Sequence, residues 1–337
     1  MEFSFTPGKL CSLAASCKCR PFGRLAYAPC RETSQSISLR FAPKIVHDSA
    51  WRECKGGLPA MKAILIPVEE HSLMEAVMET ALLLANKFNS YMEGAALGPD
   101  IAEMVAADFS LSGVILDDRT RRDFLDSSRQ RLETFMAAHN VPRHREDTAG
   151  PSFGWMGETL VSDNGIGEYG RIFDIIVVGR PGSGAQQPRR STLEAALFES
   201  GRPVLIAPPV VPKTLGDTVV IAWNGSTDTA RTIAFATPLL ILARDVVVVN
   251  VPGTRLPGPN EEQVAKGLRR HGVKARVVSI GETAKSPGTA VLEAATMLGA
   301  DLLIKGGYTQ SRLRQLIFGS VTSQILAEAN IPVFMAH

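Results

Sequence analysis

Residues 301–322 read DLLIKGGYTQSRLRQLIFGSVT. The run Asp301-Leu302-Leu303-Ile304-Lys305 predicts a strand of a parallel sheet buried on both faces. Gly306 and Gly307 end it. Gly319-Ser320-Val321-Thr322 then opens onto a helix-like run that reaches Glu328. A glycine turn after a strand, followed by backbone N–H groups and hydroxyls at a helix start, is an arrangement that cradles phosphate. Strand, glycine turn and helix in this order point to an α/β fold.

Working outward, the same pattern occurs twice. Ile64-Leu65-Ile66-Pro67-Val68-Glu69 parallels Val219-Val220-Ile221-Ala222-Trp223-Asn224, and each is a strand-like run ending in a polar residue. Asp174-Ile175-Ile176-Val177-Val178-Gly179 parallels Asp301-Leu302-Leu303-Ile304-Lys305-Gly306. Pro203-Val204-Leu205-Ile206-Ala207 parallels Pro332-Val333-Phe334-Met335-Ala336 and closes each unit. The repeats span 61–209 and 216–337, joined by Pro208-Pro209-Val210-Val211-Pro212. So long a period means duplicated domains and not a solenoid. In the second repeat the pattern predicts strands over 218–223, 245–251, 273–279, 301–305 and 332–336. The intervening helices are expected over 227–242, 260–271, 287–298 and 312–329. The first repeat follows the same plan, with helices near 72–88 and 119–139. The apolar run Ile233 to Ala243, interrupted by Pro238, is expected to be a buried helix.

The spacing Gly306-x2-Thr309-x9-Gly319-Ser320 resembles the G-x2-G-x9-G-[S/T] motif of the universal stress protein family, in its tandem-domain bacterial type. The resemblance covers both repeats, roughly 270 of the 337 residues. It implies two tandem doubly wound five-stranded parallel-sheet domains, strand order 3-2-1-4-5, of the adenine nucleotide α-hydrolase-like kind. Strands 1 and 4 are then neighbours at the topological switch point, where ligands bind beyond the strands' carboxyl ends. One branch of the family binds ATP, and the resemblance places such a site in the second repeat at Asn224, Gly306, Thr309, Gly319, Ser320 and Thr322. Asn224 matches an acid that holds the adenine edge; Asn keeps an acceptor and adds a donor. Thr309 departs from the motif, since it stands where the second glycine belongs. A β-branched residue there is strained by roughly 1 kcal/mol or more if φ must be positive. The first repeat departs further. It keeps Gly179-x2-Gly182 but reads Arg190-Ser191-Thr192 where Gly-Ser is expected, after a connection two residues shorter, and Glu69 holds the acid position. Arg189 and Arg190 are expected in an exposed basic loop, and Arg312 and Arg314 on a solvated helix face. Trp223, beside Asn224, is expected in the core.

Composition agrees with a globular chain. Apolar residues make up 45% and charged residues 21%, with a net charge of +2, which argues against a nucleic-acid partner on bulk electrostatics. No apolar run approaches the ~18 residues of a membrane span. All five cysteines (Cys11, Cys17, Cys19, Cys30 and Cys54) lie within residues 1–60, which hold nine Lys/Arg against four Asp/Glu. The remainder carries 27 against 30. Three accounts of this extension remain open: a metal site, disfavoured by irregular Cys spacing with only His47 nearby; an organellar transit peptide; or translation starting at Met61, which leaves 1–60 a non-native or disordered extension.

Several motif matches are rejected on context. Gly165-Ile166-Gly167-Glu168-Tyr169-Gly170 fits a dinucleotide fingerprint but precedes a strand instead of following one. Gly150-Pro151-Ser152-Phe153-Gly154 fits a hydrolase elbow, yet the proline suits a loop and only His271 and His337 follow as triad candidates. The six histidines form no ligand pair at helical spacing. The expectation is a cytoplasmic stress-response protein, regulator or protectant, with ATP and Mg in its second domain. It would make no nucleic-acid or membrane contact, and its two domains would pair with each other or self-associate. No residue is placed to activate water, so catalysis beyond slow ATP turnover is not expected. The rival expectation is a nucleotide-free interaction scaffold of the same fold. An enzyme of the α-hydrolase group is the weakest of the three.

Overall fold

In a computed structural model the described residues are 60–99, 117–182, 184, 186–250, 253, 256–281, 284–307 and 320–337. All belong to the compact unit Gly56–His337. Residues 1–59 lie outside them, and with them every expectation for the cysteine-bearing segment.

Strand–helix alternation is realised throughout. The first half contains β1 (Ala63–Val68), α1 (Met74–Phe88), β2 (Tyr91–Ala96), α2 (Asp118–Ala138) and β3 (Ser152–Trp155). It continues with α3 (Asp163–Tyr169), β4 (Ile175–Gly179), α4 (Arg190–Glu199) and β5 (Val204–Ala207). The second contains β6 (Thr218–Trp223), α5 (Thr227–Leu242), β7 (Asp245–Asn250), α6 (Glu261–Arg270) and β8 (Ala275–Val278). After these come α7 (Pro287–Met297), β9 (Leu302–Gly306), α8 (Ser320–Glu328) and β10 (Val333–Ala336). Local chemistry sets these limits. Ser226, Asn260 and Ser286 cap α5, α6 and α7 by accepting from the amide three residues on. Pro287 occupies the first turn of α7, where its missing N–H costs nothing. Asn89 ends α1 in the left-handed conformation at φ 51.

The strands form one ten-stranded sheet in the order β3-β2-β1-β4-β5-β10-β9-β6-β7-β8. Each half therefore has the expected order 3-2-1-4-5, with its strands parallel. Between the halves β10 pairs antiparallel with β5, Val333 opposite Ile206 and Phe334 opposite Leu205. Strand periodicity then divides the apolar residues between the two faces. Ile64, Val177, Leu205, Ile221, Ile304 and Phe334 enter one core, and Leu65, Ile176, Val220, Leu303 and Met335 the other. Both cores cross the β5–β10 junction without a break.

Two expectations change. Ser152 and Phe153 are not in a loop: they begin β3, the edge strand, which pairs with β2. No helix follows directly, so the strained elbow is still missing. The helix around Pro238 is not buried all round either. α5 runs through Pro238 and buries one face, including Thr232, Ala236, Leu239 and Leu240, while Leu242 is exposed. The sheet covers one side of it only.

Candidate functional site

In the second half β6 and β9 are neighbours at the switch point. β6 delivers Asn224, which is buried. Its Oδ1 accepts from the Ser226 amide at 3.1 Å and from the Thr229 hydroxyl at 2.9 Å. This Asx turn points the chain into α5. The turn also needs Gly225 at φ +85, where an added Cβ would stand 2.7 Å from the Leu256 carbonyl. The Leu256 amide in turn donates to the Asn224 carbonyl at 2.8 Å. Trp223 is core, as expected, and its Nε1 donates to the Pro259 carbonyl at 2.8 Å.

β9 delivers Gly306. A Cβ there would meet the Thr229 amide nitrogen at 2.4 Å and its hydroxyl at 2.7 Å. Glycine thus lets the first turn of α5 abut the end of β9. Beside it stands Lys305, 6% exposed, a residue that sequence reasoning passed over. Its Nζ donates to the Gly306 carbonyl at 3.1 Å and to Thr322 Oγ1 at 2.8 Å. Burial lowers its pKa to about 8, opposed in part by the Asp228 carboxylate. The Asp228 carboxyl is itself pushed up by burial, against the pull of His337, Arg231 and Lys305.

Of the six residues singled out from the sequence, Asn224, Gly306 and Thr322 are brought into one network through Thr229 and Lys305. Ser320 opens α8. Thr309 and Gly319, like Arg312 and Arg314, lie outside the described residues. The signal for Lys305 was present in the sequence: a charge inside an apolar strand whose first-half counterpart reads Val178.

The corresponding crevice of the first half carries a different chemistry. Glu69 is buried after β1. Its Oε2 accepts from the Arg189 amide at 3.1 Å and lies 3.5 Å from the Arg189 Nε. The same guanidinium donates to the Gly98 carbonyl at 3.0 Å and stands 3.7 Å from Asp163. Asp163 also accepts from Thr192 at 2.8 Å. Arg189 is therefore an internal ion-pair partner and not part of an exposed loop, because the buried carboxylate draws it in. Arg190 does face outward and pairs with Glu194. Burial raises the Glu69 pKa, although Arg189 opposes this. Nearby His71 is lowered to about 4 by burial and by Arg131 and Arg189. A cavity of about 660 Å³ opens beside the cluster, lined in part by Gly98, Leu125, Leu160, Asp163 and Arg189. Among the described residues no group of His, Cys, Asp and Glu is disposed to hold a metal. No helix among them is long and apolar enough to cross a membrane.

Comparison with known proteins agrees with this architecture. Residues 217–337 match the Universal stress protein family. The chain is 39% identical over 49 residues to the stress response protein NhaX of Bacillus subtilis, covering 14% of this chain and 30% of that protein. It is 27% identical over 168 residues to the universal stress protein Slr1230 of Synechocystis, covering 48% of this chain and 57% of that protein. Neither match therefore extends over two thirds of the relative. A universal stress protein of Archaeoglobus fulgidus superposes with a TM-score of 0.60 over 82% of this chain and 96% of its own, at 16% identity, a likeness of fold alone. It is through residues 217–337 that the chain is similar to the universal stress protein family.

Proposed function

We propose that this is a stress-response protein of the cytoplasm that binds an adenine nucleotide, ATP with its Mg, in the crevice of its second domain, residues 216–337. Occupancy would tune its conformation or its partners. The observation that carries the proposal is the network Asn224–Thr229–Gly306–Lys305–Thr322. It joins the end of β6, the end of β9 and the first turn of α8 at the switch point, where an α/β sheet takes its ligand. Both side-chain hydrogen bonds of Asn224 use Oδ1, which leaves Nδ2 as the group for a base edge. No carboxylate belongs to this set, so Mg arrives held by the phosphates. No residue here is assigned to catalysis. The first domain, residues 61–209, is structural, its crevice balanced by Glu69 and Arg189.

The test is to denature the purified chain, identify any released nucleotide by chromatography, and titrate ATP-Mg into the stripped protein calorimetrically. One site per chain, lost in Gly319→Val, is the expected outcome. No released nucleotide and no heat at millimolar ATP would sink the proposal.

A second function, a nucleotide-free interaction scaffold, is favoured by two specific contacts. Gly306 is accounted for by its packing on Thr229, and the Asn224 acceptor is spent on the α5 turn. Thr309→Gly separates the two. It tightens ATP binding if the crevice is a nucleotide site, and changes nothing in a scaffold.

A further inference from the structure

The first repeat shows what the fold alone requires at position 305. Lys305 is the counterpart of Val178 in the matching strands β9 and β4. Burial runs in step along α4 and α8, with Ala196, Leu197 and Ser200 answering to Ile325, Leu326 and Ala329. This makes Thr322 the counterpart of Leu193. Val178 and Leu193 are 2% and 0% exposed; Lys305 and Thr322 are 6% and 3%. An apolar pair in one half has thus become an ammonium–hydroxyl pair in the other at nearly the same depth. The sheet does not need the change, and it removes a cation from water.

A buried cation is costly unless it is paired with opposite charge. Lys305 Nζ is held by two neutral oxygens, the Gly306 carbonyl and Thr322 Oγ1. Among the described residues it makes no ion pair within 4.0 Å. Residues 306–327 contain no Asp or Glu, so the stretch 308–319 supplies no carboxylate either. Asp228, on the first turn of α5, acts on Lys305 from beyond ion-pair distance and shares its field with His337 and Arg231. The strand-end acid of the first half, Glu69, is replaced by neutral Asn224. One crevice therefore holds carboxylates and a cation in contact, Glu69 and Asp163 around Arg189, while in the other, among the described residues, the lysine has no carboxylate within ion-pair distance.

We infer that Lys305 is the resident counter-charge for a phosphate-bearing ligand of the second crevice, and that it positions the anion-binding turn through Thr322. Accepting the ammonium N–H commits the Thr322 oxygen and leaves its O–H to donate at the first turn of α8, where helix amides favour negative charge. The inference rests on the proposed nucleotide site for its location, but it commits only to the phosphate portion of the ligand. Lys305 is a positioning residue in this scheme.

The experiment uses the full chain, with ATP and inorganic tripolyphosphate as probes, and compares the wild type with Lys305→Met and with the double variant Lys305→Val/Thr322→Leu. The double variant restores the apolar pair with which the first half folds, and so serves if Lys305→Met folds poorly. Affinities are read by calorimetry at pH 7 and stability by the urea midpoint without ligand. Both variants are expected to lose about 10-fold or more in affinity for both probes, while their urea midpoints rise. A lysine that only supported the fold would give a lower midpoint and unchanged affinity, and that result overturns the inference. Binding of both probes at wild-type strength by the variants also overturns it and leaves the nucleotide proposal intact. If tripolyphosphate binds in a Lys305-dependent way and ATP does not, the inference holds and the nucleotide proposal falls. If neither anion binds the wild type at millimolar concentration, both fall.

Discussion

Single residues at the two switch points show how a polar group is made tolerable inside a close-packed sheet protein. Glu69 is buried, and Arg189 is drawn in to meet it. His71 has no such help: burial disfavours its charged form, and the charges that act on it among the described residues, Arg131 and Arg189, are cations that add to the effect. Its folded pKa of about 4 lies below the ordinary 6.5. The unfolded chain therefore takes up a proton first as pH falls. Stability is full above pH 6.5 and declines as pH drops from 6.5 toward 4, by up to about 3 kcal/mol. Urea titrations at pH 7.5 and pH 4.5 should show this loss, and His71→Phe should shrink it. An equal loss in that variant would place the sensitivity elsewhere. The positions of Gly306 and Asn224 were legible in the sequence because a glycine after an apolar strand and a polar residue at a strand end are local signals. Their contacts were not. The Thr229 group that fills the space beside Gly306 lies 77 positions away, and only the packing of α5 on β9 brings it there.

Elements are held by contacts that cross between the two halves. α8 is the helix that opens the candidate anion turn, and its far end is capped by Arg180 from the first half, which follows β4. Arg180 Nη1 donates to the carbonyls of Ala327 and Ala329 at 2.7 and 3.0 Å. A cation on the last carbonyls of a helix satisfies acceptors that lack an intrahelical donor and meets the negative end of the helix dipole. Arg180→Ala is expected to cost about 1–2 kcal/mol. Hydrogen exchange should quicken at the α8 amides more than at α4. Uniform exchange across both helices would show that the cap does not hold α8 locally. The limits of α5, α6 and α7 were readable to within a few residues, since Ser226, Asn260 and Ser286 announce their caps in the sequence. β3 was missed because Gly150 and Pro151 signal a turn. The strand forms from Ser152 onward because β2 offers an open parallel edge there.

At the scale of the whole molecule, the β5–β10 pairing turns two five-stranded units into one sheet with a core on each face running across the junction. Half-buried links such as Lys87–Asp217, 3.0 Å apart, add little by comparison, since ion pairs that keep contact with water are typically worth under about 1 kcal/mol. Unfolding is expected to be a single cooperative transition for residues 61–337. Trp155 reports on the first half and Trp223 on the second, so variants retaining only one of these two tryptophans should give coincident urea midpoints. Separate midpoints would show that the halves fold independently.

The amino-acid sequence by itself determined the duplicated α/β plan, the strand and helix positions of the second half up to β9, and the strand ends at which polar residues collect, because each is written in local periodicity or in the likeness of one repeat to the other. The tertiary structure alone decided which strands meet at the centre, that Arg189 turns inward to Glu69, and that Lys305 lies buried between Gly306 and Thr322 with no carboxylate within 4.0 Å among the described residues. These depend on partners distant in sequence. Burial and close packing, which no local pattern encodes, determine whether a charge meets water, a counter-charge or neither.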